Sequence, residues 1–97
     1  MEEIIARLKK EKAEHQTEWY EVGLEDGVAE AETSNYPVLA AIASTDISRL
    51  DDAFEALPSS IKEFAASPAY KNMDKTYYAK GWFESYKRFW EEVRSRI

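Results

Sequence analysis

The chain's lone histidine, His15, has Glu11 four residues before it and Glu18 three after, so all three can share one helix edge. Helical histidine with carboxylates is a metal-binding arrangement, but carboxylate-bridged bundles take an E-x-x-H pair from more than one helix. Here a single histidine stands in H-x-x-E order, which reads as a seam residue with a local ion pair. Asp26 and Glu30 lie one turn apart at the edge of an apolar face. Buried together they would raise one pKa and act as acid and base, or hold a hard cation. The plainer reading turns them toward a basic last helix. The chain has no cysteine, hence no disulfide framework, thiolate metal site or Cys nucleophile. There is also no glycine-rich phosphate loop, G-x-S-x-G, H-E-x-x-H or EF-hand loop. No enzyme, catalytic residue, metal or cofactor is expected.

A different signal comes from a repeated word. Trp19-Tyr20-Glu21-Val22-Gly23-Leu24-Glu25-Asp26-Gly27 returns loosely, 58 residues later, as Tyr77-Tyr78-Ala79-Lys80-Gly81-Trp82-Phe83-Glu84-Ser85. The shared pattern is aromatic-Tyr-x-x-Gly-x-x-acid-small. The chain has only three glycines, and all stand in these copies, inside helical stretches where glycine costs about 0.5–1 kcal/mol relative to alanine. Close backbone approach is the usual compensation. One reading has the two long helices crossing antiparallel at these notches, within one chain or between two, with the tryptophans packed over the glycines. An ancient duplication is compatible with that. Another reading is a pocket lined by Trp19, Tyr20, Tyr78 and Trp82.

The elements that must position these residues are all helical. Helix formers dominate and alternation at period two is never sustained. Ile5, Leu8, Lys12, His15, Trp19, Val22, Asp26 and Ala29 make one seam over residues 2–32, poor in the middle at Lys12 and His15. Residues 37–43 (PVLAAIA) are apolar all round and are expected to be buried. Thr45 or Asp46 can cap a third helix carrying Ile47, Leu50, Phe54 and Leu57, which Pro58 stops. Ser60 and Glu63 fit a capping box for a short helix through Ile61 and Phe64. Ser67-Pro68 opens the last segment, 68–96. In it Trp82, Phe83, Tyr86, Phe89, Trp90, Val93 and Ile97 share an arc of about 120°, while Tyr70, Met73 and Tyr77 point elsewhere. The segment is therefore expected to break near Asn72–Asp74, with Asp74 as a fresh cap, or to pack against two bodies. The chain reads as one all-α domain over residues 1–97, a small bundle of four or five helices, with two long terminal helices bracketing short ones.

Tyr78, Trp82, Tyr86 and Trp90 form an i, i+4 row of residues that combine large area with a polar atom, the chemistry of interfaces as well as cores. The expected function is a small acidic protein–protein interaction module, homodimeric or bound to another protein. Its surface comprises Trp19, Tyr20, Gly23, Gly27, Tyr78, Gly81, Trp82, Tyr86 and Trp90. Alternatives are a ligand- or metal-binding bundle using the Trp19/Trp82 notch or Asp26/Glu30, and an acidic inhibitor that mimics nucleic acid with Glu14, Glu18, Glu21 and Glu25. The formal net charge of −6 disfavours nucleic acid as a partner. The acidic start and basic end of the chain favour pairing of first and last helices. Without cysteine, a signal peptide or a long apolar run, the chain is expected to be cytoplasmic, with no membrane partner.

Overall fold

A computed structural model describes residues 1–49 and 52–97. Among them stand four α-helices and no strand: α1 (Glu2–Thr33), α2 (Tyr36–Ala43), α3 (Ser59–Phe64) and α4 (Lys75–Val93). Short 3-10 turns occupy Ile47–Arg49, Ala53–Ala56, Pro68–Tyr70 and Arg94–Arg96. Two long helices thus bracket short ones, as the hydrophobic periodicity indicates.

The core is built on α4. Tyr78, Ala79, Trp82, Phe83 and Tyr86 are wholly buried, and Trp82 stacks on Tyr86 with ring centroids 4.9 Å apart. One flank is α1. The rest is covered by Leu39 of α2 and by Ala53, Phe54, Leu57, Ile61 and Ala65 from the short segments. Lys75 completes one edge, its ammonium 5.1 Å from the Phe54 ring centroid.

Several local expectations change for physical reasons. The last segment does break where the two apolar faces diverge. Asn72 takes the left-handed conformation (φ 64°), and the Asp74 carboxylate then accepts the Tyr77 amide at 3.0 Å, capping α4. The expected third helix is replaced by two 3-10 turns, with Leu50 outside the described residues. Asp46 accepts from the Ser48 amide, as its expected capping role requires, and Asp52 from the Phe54 amide, so each aspartate ties down the turn that follows it. α3 starts one residue before the expected box, after Pro58, and has no side-chain cap. In α2 only Leu39 is buried; Tyr36 and Val38 are 63% and 43% exposed, so the apolar run is a half-covered helix on the surface.

α1 and α4 run parallel, not antiparallel. Gly23 faces Tyr78 and Trp82, and Gly27 faces Trp82 and Ser85, so contacts advance together along both helices. A parallel pair needs a return path the length of a helix, and residues 34–74 provide it. Because α4 starts at Lys75, the beginning of α1 has no partner helix. Residues 1–14 are all exposed, and the molecule measures 56 Å along its long axis against 26 and 22 Å across.

Candidate functional site

The two copies of the repeated word pack on each other as mirror roles in one crossing. A Cβ on Gly23 would collide with the Tyr78 carbonyl oxygen and stand 2.9 Å from the Trp82 amide nitrogen. A Cβ on Gly81 would collide with the Tyr20 carbonyl oxygen and stand 3.0 Å from the Leu24 amide nitrogen. Tyr20 and Leu24 are the residues that the 58-residue shift carries onto Tyr78 and Trp82. Each glycine therefore seats the other copy's backbone at the equivalent place, and the small residues Gly27 and Ser85 meet at the next turn.

The acids of the word are used in the same reciprocal way. The Tyr20 hydroxyl donates to Glu84 of the second copy, and the Tyr78 hydroxyl donates to Asp26 of the first, at 2.8 Å. The arrangement is a pseudo-two-fold, isologous contact between two halves of one chain. It supports the duplication reading and explains every position of the aromatic-Tyr-x-x-Gly-x-x-acid-small pattern except the leading aromatic.

These contacts relocate much of the expected association surface. Gly23, Gly27, Gly81, Tyr78, Trp82 and Tyr86 are buried within the chain's own crossing and core, where a second chain has nothing of them to touch. Trp19 is buried against Tyr70, with His15 edge-on at 6.4 Å. Tyr20 is half-buried. Trp90 is half-buried beside the exposed Tyr36, ring centroids 6.0 Å apart. The ring partners of Trp82 are Phe83 and Tyr86, and those of Trp19 are His15 and Tyr70.

Asp26 and Glu30 do not pair with cations of the last helix. Among the described residues no ion pair joins α1 to α4; Arg7–Glu11, Lys62–Glu55, Arg88–Glu84 and Arg94–Glu91 each lie elsewhere. The helices are tied instead by hydroxyls. Tyr70 and Tyr78 both donate to Oδ2 of Asp26, and Tyr86 donates to Ser34 Oγ at 2.9 Å, which in turn donates to the Glu30 carbonyl at 2.8 Å. Burial, reinforced by the Asp26 carboxylate, pushes the Tyr70 and Tyr78 hydroxyls well above the ordinary phenol value. Burial also raises the Tyr86 hydroxyl, with the Ser34 hydrogen bond working against it and the Glu30 carboxylate with it. In each of these contacts the tyrosine hydroxyl is the donor.

Asp26 and Glu30 look across a cleft of about 480 Å3 toward Ser60 and Phe64 of α3, with Tyr78 and Trp82 in its wall. Trp82 is wholly buried, and its indole N–H is the one buried side-chain polar atom among the described residues with no partner. Sequence reasoning offered the Trp19/Trp82 notch and the Asp26/Glu30 pair as alternative sites of one ligand-binding bundle; folding brings Trp82 and the two acids to the same cleft. It missed Ser60, Phe64 and Tyr70 as neighbours, because the short segments carrying them have no periodicity that says which helix they cover.

No three metal-ligating side chains stand together among the described residues. Glu14, Glu18, Glu21 and Glu25 form an exposed stripe on α1. No described helix is long and apolar enough to cross a membrane. Exposed apolar side chains stand at Tyr36, Val38, Phe64 and Ile97, and at the beginning of α1, where Ile4, Ile5 and Leu8 are 47%, 44% and 47% exposed. No protein-family model, curated protein or solved structure matches the chain.

Proposed function

We propose that the protein is a self-associating interaction module, in which the projecting beginning of α1 pairs with the same segment of a second copy. The observation carrying this reading is the exposed stripe of Ile4, Ile5 and Leu8 on a helix that extends past its partner helix. Met1, Ile5 and Leu8 follow the four–three spacing of a coiled-coil seam. Charge selects the occupant and its direction. Glu2 and Glu3 lie at the start of α1, and Arg7, Lys9, Lys10 and Lys12 lie further along, with Glu11 among them paired to Arg7. Two such arms in the same direction set like charges side by side. In opposite directions, with Ile5 against the second copy's Leu8, Glu3 falls beside Lys10. The aromatic core then serves to brace α1, and association takes place on the part of α1 that the core leaves uncovered.

Absolute mass by light scattering behind a sizing column, at two concentrations about tenfold apart, tests this directly. The expected result is a species of twice the 11.2 kDa chain mass that dissociates on dilution. Leu8→Glu and Ile5→Lys should both give monomers whose aromatic core is unchanged, read from the near-UV signal of the buried tryptophans and tyrosines. A wild type that stays monomeric at both concentrations, or variants that still dimerise, would refute the arm as the contact.

A further inference from the structure

The short segments between α1 and α4 roof one side of the long helix pair, over the aromatic core. Two grooves on the pair are lined by α1 and α4 alone, with no residue of the roof in either. Thr17, Leu24 and Val28 mark their α1 wall at spacings of seven and four, so both grooves belong to one helix face. Leu24 and Val28 are only half-buried there, as is Phe89 across from them on α4. Along this face α4 presents four exposed charges, Lys80, Glu84, Arg88 and Glu92, each four residues from the next. Lys80, Arg88 and Glu92 line the grooves, and Glu84 accepts from the Tyr20 hydroxyl of the α1 wall. The signs alternate, so the row read backwards is its own complement.

We propose that this face docks the same face of a second copy about a two-fold axis, with the two α4 helices antiparallel. An axis midway between residues 84 and 88 sets Lys80 against the second copy's Glu92 and Glu84 against its Arg88. Parallel α4 helices in register would set every charge on its own kind. Rows of four-residue spacing that interdigitate cross at about −50°, an ordinary helix-packing angle. Within one copy Arg88 already pairs with Glu84 at 2.8 Å, so two such pairs meet in opposed order as a cluster of four charges. The half-buried Leu24, Val28 and Phe89 gain cover beside that cluster. Exposed ion pairs contribute little each, so the contact is weak and forms above the concentrations of the sizing experiment. It is centred far along α4 and uses no residue of the α1 arm, so it does not rest on arm pairing. Where both contacts form, arm dimers join into larger assemblies.

Sedimentation equilibrium of concentrated protein tests the face. Wild type should exceed twice the 11.2 kDa chain mass, and Leu8→Glu, monomeric when dilute, should approach twice that mass. Lys80→Glu and Glu92→Lys are then added separately to Leu8→Glu; each sets like charges together across the axis and should keep the chain monomeric. Lys80 and Glu92 are chosen because neither bonds to α1: the Lys80 ammonium lies over the Tyr77 ring of its own helix, 4.9 Å from the centroid. Mixed in equal amounts, the two variants should associate again, at least about tenfold more tightly than either alone, because each meets the opposite sign in the other. Added salt should weaken the association of Leu8→Glu. A concentrated Leu8→Glu that stays monomeric, charge variants that associate as well as their parent, or a mixture no tighter than its components would overturn the proposal. If wild type and Leu8→Glu associate alike and the mixture still regains what each variant lost, this face stands and the arm reading fails.

Discussion

Gly23 and Gly81 illustrate how a residue's worth depends on its surroundings. In an exposed helix, glycine to alanine stabilises by about 1 kcal/mol. Here the added methyl would meet carbonyl oxygens and amide nitrogens of the facing helix, atoms that move only if the helix moves. Gly23→Ala and Gly81→Ala should each destabilise by about 2–3 kcal/mol net, the cost of overpacking outweighing propensity. Urea midpoints check this, and a rise in either would contradict the crossing. The tyrosines behave as pH-linked groups. Tyr78 has a folded pKa above its ordinary value of 10.0, so its contribution is complete below that pH. As pH climbs past it, the unfolded chain loses the phenol proton while the fold keeps it, and stability falls by ~1.4 kcal/mol per pH unit for each such group. Unfolding free energies measured from pH 9 to 11 should therefore fall less steeply in Tyr78→Phe than in the wild type.

At the scale of elements, the boundaries depend on a few short polar side chains. Asp74 caps α4 immediately after the left-handed Asn72, which sets the helix's starting point and so the register of Tyr78, Gly81 and Trp82 against α1. Asp74→Ala should cost about 1 kcal/mol, read as a lower urea midpoint with the slope unchanged. Asn35 plays the same role for α2, accepting the Val38 amide at 3.2 Å. The two long helices gain little from charge. Their surface ion pairs, Arg7–Glu11 and Arg88–Glu84, are exposed i, i+4 contacts within one helix, worth ~0–1 kcal/mol each. Close backbone approach and the reciprocal tyrosine–carboxylate bonds hold α1 to α4.

For the whole molecule, the parallel crossing has a geometric consequence. The connection from the end of α1 must return along the bundle before α4 begins, and it does so as short segments that roof the aromatic core. That roof starts opposite the middle of α1, so about 20 Å of helix at its beginning stands clear. An isolated helix of that length is marginal in water. If a second copy covers it, amide exchange over residues 2–12 should be slow in concentrated wild type and fast in Leu8→Glu. Uniformly fast exchange in both would leave the arm without a partner.

Helix type, the two long terminal helices and the break before α4 were legible in the sequence because they follow from local physics: apolar periodicity, proline, and an aspartate placed to cap. The glycine word was legible too, as a demand for close approach. Its direction was not. Gly23 and Gly81 require a facing backbone, yet nothing local says whether that backbone runs up or down, since the answer depends on the path of residues 34–74. The same long-range packing decided that Tyr78, Trp82 and Tyr86 face inward, and that Asp26 meets two tyrosine hydroxyls. It also decided that Ile4, Ile5 and Leu8 stay uncovered. Spacing along one helix reveals a face, and only the arrangement of the other elements determines what that face meets.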